Sequence, residues 1–126
     1  LLSEGRIYVY GTGRNDIRRG KSSSRFSYAT VFATSGPSCM GMDRVMTCVQ
    51  GKGAWVLAGG KWIRGQQGPC HGDSGGPAIV YNKDAPVLVG TASAVLDMSC
   101  QGPALYTHVG QHIPWITSTI TKLLRA

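Results

Sequence analysis

Along most of the chain, apolar and β-branched residues come in short runs broken by glycine, serine and charged residues, a rhythm that suits strands better than helices. Arg6 to Thr12 is rich in β-branched and aromatic side chains and closes on Gly11-Thr12-Gly13, which predicts a first strand. A polar, basic connector over 14–25 separates it from a second candidate, Phe26 to Thr34. Ala54 to Ile63 has two short apolar arms around Gly59-Gly60, a dipeptide that supplies the positive φ angles of a two-residue hairpin turn. Ala78 to Tyr81, Val87 to Leu96 and Ala104 to Val109 complete the strands. The tail differs. Ile113, Trp115, Ile116, Ile120, Leu123 and Leu124 recur at three- and four-residue intervals, and Pro114 stands where a first helical turn tolerates it, which predicts a terminal helix over 111–125. The expected architecture is all-β: one small antiparallel barrel over 1–126 with a helix docked outside.

Composition sharpens this. The 126 residues suffice for one domain and not comfortably for two. Only 15% are charged, against about 25% in a typical domain, and 18 are glycine, so a helix bundle with Glu- and Lys-rich outer faces is excluded. The net charge is +7. Arg14, Arg18, Arg19, Lys21 and Arg25 share one polar stretch that reads as a solvated loop, and no DNA- or RNA-binding signature accompanies it, so no nucleic-acid partner is expected. No run of 18 apolar residues occurs, so no membrane span is expected. The opening Leu1-Leu2-Ser3-Glu4-Gly5 has neither a methionine nor the pattern of a signal peptide, and the chain reads as a piece of something longer.

Cys39, Cys48, Cys70 and Cys100 form no Cys-x-x-Cys pair, and His71, His108 and His112 lack zinc-finger spacing, so neither a metal nor another cofactor is expected. An even cysteine count in a small β-rich chain favours two disulfides and an oxidising, extracellular compartment. Three pairings are open; Cys39–Cys48 with Cys70–Cys100 is the one that closes a local loop and pins a longer one.

The chemistry concentrates in Gly-Pro-Cys-His-Gly-Asp-Ser-Gly-Gly-Pro, residues 68–77. Gly72, Gly75 and Gly76 leave the backbone free to turn tightly around Ser74 and to aim successive N–H groups at one point, as an acyl-transfer nucleophile requires. Asp73 adjoins the serine and cannot be its base; buried there, it needs a cationic partner to offset its desolvation. Gly-Asp-Ser-Gly-Gly-Pro, with a cysteine two positions upstream, closely resembles the active-site serine segment of the chymotrypsin (trypsin-like) serine protease family. Leu88 to Ser93 resembles that family's substrate-binding strand, Cys100 the partner of Cys70, Pro103 to Thr107 the strand closing the specificity pocket, Ile113 to Ile116 the start of the C-terminal helix, and Ile7 to Gly13 the first strand of the second barrel.

The resemblance implies a six-stranded Greek-key barrel, the second of the family's two, and therefore half an enzyme. Ser74 is then the nucleophile, and the N–H groups of Gly72 and Ser74 form the oxyanion hole. Asp73 forms the activation ion pair with a new N-terminal ammonium. Gly68, Pro69, His71, Ser93, Ala94, Val95 and Ala104 line the substrate site. The catalytic histidine and aspartate belong to the first barrel, and no Ala-Ala-His-Cys-like segment occurs here; His71 falls on the rim of the site, His108 in the final strand and His112 at the helix start. A separate N-terminal chain is therefore the expected partner, with a protein or peptide as substrate and a secreted zymogen as context.

This sequence departs from the family at several positions. Ala94 replaces a tryptophan beside the cleft, Val95 a glycine at the pocket mouth, and Gly68 stands where trypsin-like members carry an aspartate, a combination that implies small aliphatic specificity. Twenty-one residues separate Cys48 from Cys70, a longer insert than usual, which would extend the pocket rim or bind a partner. Ile7 and Val80 occupy positions that many members bridge by a disulfide. The alternative is a catalytically inactive homologue that works by binding or regulation.

Overall fold

The computed structural model describes residues 5–14, 16 and 26–125; the opening residues 1–4 and the basic cluster Arg18, Arg19, Lys21 and Arg25 lie outside them. Eight strands follow in order: β1 (Arg6–Gly11), β2 (Ser27–Ala33), β3 (Thr47–Gly51), β4 (Gly53–Ala58), β5 (Lys61–Gln66), β6 (Pro77–Asn82), β7 (Ala85–Val95) and β8 (Ala104–His108). Six of them close an antiparallel barrel in the order β1-β2-β3-β8-β7-β6, a Greek-key path in which β3 returns to lie against the last strand. β4 and β5 stand apart as a two-stranded ribbon.

Alternation builds the barrel core. Ile7 and Val9 point inward from β1, joined by Val31, Val49, Ala78, Val80, Ala104 and Tyr106. β1 pairs with β6 through Tyr8↔Ile79 and Val9↔Ala78, and continuing that register sets Ile7 opposite Val80. Both are buried, so apolar packing occupies the place where the family resemblance allows a bridge. The intervening tyrosines face out. Tyr8 and Tyr10 meet Tyr28 and Tyr81 in a chain of tilted and edge-on rings, with Phe26 stacked on Tyr10. The Tyr10 and Tyr81 hydroxyls bond at 2.8 Å, which pushes the Tyr10 phenol up to about 12.

Both glycines of the β4–β5 turn have positive φ, 61° and 83°, as a type I′ hairpin requires. The β6–β7 turn repeats this geometry at Lys83 and Asp84, with φ 49° and 69° and no glycine. One strand, β3, is absent from the sequence reading, and the predicted hairpin at 54–63 lies outside the barrel that β3 completes. The predicted helix becomes a 3-10 turn at Val109–His112 followed by α1, Ile113–Leu124, with Pro114 in its first turn. No residue of α1 is buried. Among the described residues no helix is long and apolar enough to cross a membrane.

Both disulfides of the local-plus-long pairing are present, Cys39–Cys48 and Cys70–Cys100. Cys39 and Cys48 form a second small core with Leu105 on the outer face of β3 and β8. Cys70–Cys100 ties the serine-bearing loop to the loop between β7 and β8.

Candidate active site

The loop from Cys70 to Gly76 is two β-turns in succession. Asp73 N donates to the Cys70 carbonyl at 3.1 Å and Gly76 N to the Asp73 carbonyl at 3.0 Å. Each turn places a glycine third, Gly72 with φ 96° and Gly75 with φ 81°, where the type II geometry demands a positive φ. Ser74 follows the first turn and is the second residue of the second, which Asp73 heads; it is exposed at the tip. Two bonds fasten the far end of the loop to β7: Gly75 N donates to the Ala92 carbonyl and Ala92 N to the Gly76 carbonyl, each at 2.8 Å. A side chain on Gly76 would collide with the Tyr10 carbonyl at 2.7 Å, so glycine here lets the loop lie against β1.

Asp73 turns inward, away from the serine. One carboxylate oxygen accepts from Gly13 N and the other from Cys70 N, each at 2.8 Å. Cβ atoms at Gly11 and Gly13 would strike that carboxylate, which explains the Gly-Thr-Gly ending of β1. Among the described residues, no backbone carbonyl accepts from Gly72 N or Ser74 N. Two amides flanking the exposed serine are thus left unspent.

A cavity of about 250 Å³ opens beside Ser74, and its lining includes Pro69, His71, Ser93, Ala94 and Val95. Met98 and Tyr106 also line it, and neither was evident as a site residue in the sequence. Tyr106 was legible only as part of the Pro103–Thr107 segment that resembles the strand closing the specificity pocket, and Met98 carried no signal at all. Tyr106 is buried at the floor, and burial, followed by the nearby Asp73 charge, drives its phenol well above the ordinary range. A second cavity, about 190 Å³, lies on the other flank of Asp73 and takes in Gly11, Gly13 and Gly68. Gly68 is therefore not on the serine-side cavity, and Ala104 is buried in the barrel core opposite Val95.

β7 explains how Ser93 reaches the site. Its pairing with β8 slips between Ala92 and Ala94, so Ser93 bulges out of the ladder. Pairing with β6 ends at Thr91, leaving the edge over Ser93–Val95 open next to the serine loop.

The histidines have other engagements. His71 Nε2 lies 3.1 Å from the Met98 carbonyl, closing the rim. The loop beneath is shaped by Asp97, which accepts from the Ser99 hydroxyl at 2.6 Å and from Ser99 N at 3.2 Å; these bonds hold its carboxyl below the usual range. His108 Nδ1 accepts from Gln111 N at 3.2 Å, capping the 3-10 turn, and His112 is exposed at the helix start. A His71 nitrogen and the Cys70 and Cys100 sulfurs fall within 4.8 Å of one another, but those sulfurs are bonded to each other, and a disulfide has no thiolate to offer a metal.

A family model described as trypsin matches residues 2–116. Mouse serine protease 28 is 36% identical over 50 residues, covering 40% of this chain and 18% of that protein. An inactive CLIP domain-containing serine protease A3 of Aedes aegypti is 27% identical over 119 residues, 90% of this chain and 25% of its own length. A mutant of human heparin binding protein shares the fold, with a TM-score of 0.64 at 24% identity over 92% of this chain and 43% of that one. The chain thus spans a quarter or less of these two curated relatives.

Proposed function

The chain belongs to the trypsin family, and on that footing we propose that it is the C-terminal half of a secreted serine endopeptidase whose first barrel, on an N-terminal chain, supplies the histidine and aspartate. The observation that carries this reading is the loop itself: an exposed hydroxyl between two amides without backbone acceptors. In the reaction, the incoming imidazole takes the Ser74 proton as Oγ attacks the peptide carbonyl. The Gly72 and Ser74 N–H groups receive the oxyanion. The imidazolium then protonates the leaving amine, and water releases the acyl group by the same route in reverse. Substrate backbone adds as a strand along the open edge at Ser93–Val95. Asp73 keeps lone pairs beyond its two amide bonds, and an ammonium entering the cavity on its flank completes the activation pair.

The first barrel also answers a packing problem. Ile113, Trp115, Ile120, Leu123 and Leu124 of α1 are all exposed, an apolar face too continuous to be left to water. Two disulfides fit an oxidising, extracellular setting.

The substrate side chain enters the 250 Å³ cavity, where Val95 narrows the mouth and Ala94 offers no wide wall. Among the described residues its one carboxylate, Asp73, is turned to backbone amides, so none of them offers an anion to a Lys or Arg. We expect the assembled protein to cleave after Ala or Val at least about 100-fold faster, in kcat/KM, than after Lys or Arg, because an unpaired buried cation forfeits several kcal/mol. A peptide panel varied at that one position measures this; preference for Lys or Arg refutes the pocket assignment. The second reading, an inactive homologue, is favoured by the Aedes relative described as inactive, whose match runs along nearly the whole chain. No turnover of any panel peptide by assembled protein with an intact histidine and aspartate supports it.

A further inference from the structure

The two amides beside Ser74 are not aimed in the same way. A trans peptide is planar, so its C=O and the N–H that follows point in opposite directions, and whatever bonds the oxygen orients the hydrogen. The Ser74 N–H shares its peptide with the Asp73 carbonyl, which accepts from Gly76 N at 3.0 Å within the same loop. The Gly72 N–H shares its peptide with the His71 carbonyl, and that oxygen accepts from Arg14 N at 2.7 Å. One oxyanion donor is therefore set by the loop itself, and the other by a distant segment of the chain.

That segment lies past the end of β1 at Gly11, outside the six-stranded ladder. Gly13 N donates to the Asp73 carboxylate and Arg14 N to His71; two residues on, Asp16 reaches the tip of the β4–β5 ribbon. Asp16 is 3% exposed, and its carboxylate accepts from Gly59 N at 2.6 Å and Gly60 N at 2.7 Å. Its backbone also forms a parallel bridge with Leu57 of β4. Short bonds from two turn amides to one buried carboxylate make a directional anchor. The other end of the ribbon is fixed as well. The Gln101 side chain accepts from Gln66 N at 2.8 Å and donates to the Gln66 carbonyl at 3.2 Å, as a further strand would. Gln66 Nε2 in turn donates to the Gly102 carbonyl at 2.9 Å. The ribbon thus runs as a strut from the loop tied by Cys100 to the segment that aims Gly72.

We infer that Asp16 is a positioning residue for the oxyanion hole: by clasping the ribbon tip it holds Arg14 N on the His71 carbonyl and keeps the Gly72 N–H turned toward the reacting carbonyl. The inference rests on the endopeptidase reading above. Without the carboxylate, the Gly59 and Gly60 amides lose their acceptor and the segment past β1 loses its anchor. The His71–Gly72 peptide is then free to rotate. The Ser74 amide, held inside its own turn, stays in place. Outright removal of one oxyanion donor costs about 10²–10³-fold in kcat, so a donor aimed only part of the time should cost at least about tenfold. The interaction is made chiefly in the transition state, so KM should move by less than about threefold.

Peptide hydrolysis and amide hydrogen exchange of the assembled protein test this together. Asp16→Ala is expected to show that loss in kcat with KM nearly constant, and Asp16→Asn, which keeps one acceptor oxygen, to restore part of it. Arg14→Pro deletes the N–H and leaves Asp16 in place; it should reproduce the loss, and it decides the matter if Asp16→Ala does not fold. Trp62→Ala, on the exposed side of the ribbon, should leave kcat unchanged. Exchange at the Arg14 amide should accelerate at least about tenfold in Asp16→Ala, because its bond to His71 opens more often. The exchange arm needs no turnover. A parent protein without turnover therefore refutes the endopeptidase reading, while exchange still judges the anchor. Unchanged exchange at Arg14, an undiminished kcat in an active protein, or a loss confined to KM overturns the inference.

Discussion

Replacing Ser74 by alanine in the protein assembled with its first barrel is expected to lower kcat by about a million-fold, to the residue that oxyanion donors and binding alone sustain. Nothing structural compensates. Ser74 is exposed, and no other hydroxyl sits between the Gly72 and Ser74 amides. The fold should be indifferent, because the two turns are held by Asp73, Gly75 and Gly76 backbone groups, not by the serine side chain. Unchanged thermal unfolding with lost hydrolysis of a good peptide is the expected pair of results. Activity within tenfold of the parent would remove Ser74 from the chemistry.

Replacing Cys70 and Cys100 by alanine should be the most damaging change to stability. The bridge spans 30 residues of sequence, including all of β6 and β7. Loop entropy then assigns it about 3–4 kcal/mol, against about 2–3 kcal/mol for Cys39–Cys48, which spans 9. The two losses should also differ in kind. Cys70 starts the turn that orients Gly72, and its N–H is held by Asp73. Losing its bridge should slow modification of Ser74, whereas losing Cys39–Cys48, on the outer face of β3 and β8, should leave that rate unchanged. Urea midpoints and labelling rates of the two variants measure both effects. Equal labelling by the two would mean that the Cys70 bridge holds the barrel without shaping the site.

How much of this was legible beforehand depended on whether a strand has one wet face. β1 alternates Ile7 and Val9 against Tyr8 and Tyr10, and its signal survives in the sequence. β3 gives none, because Val49 enters the barrel core while its neighbour Cys48 enters the second cluster, so both faces are dry. The β4–β5 turn was announced by two glycines. The β6–β7 turn was not, since Lys83 and Asp84 adopt positive φ where glycine is the usual marker. The serine loop was readable because its conformation needs specific glycines, and the activation and pocket roles came from the family pattern built on them. Met98 was not, because a pocket lining depends on which loops meet, and spacing along one chain does not encode that. Gly68 came from the family pattern, as the position where trypsin-like members carry an aspartate; it lines the cavity of Gly11 and Gly13, which shares Pro69, Cys70, Asp73 and Tyr106 with the cavity beside Ser74.

The central claim is that the Ser74 hydroxyl becomes a nucleophile when a histidine arrives from the first barrel. Treatment with a fluorophosphonate, followed by peptide mass spectrometry, tests it most directly. Assembled, processed protein should carry one adduct on Ser74, and the 126-residue chain alone should react at least about a thousandfold more slowly, because an unassisted serine is a weak nucleophile. An assembled protein with its histidine and aspartate in place that leaves Ser74 unmodified contradicts the account.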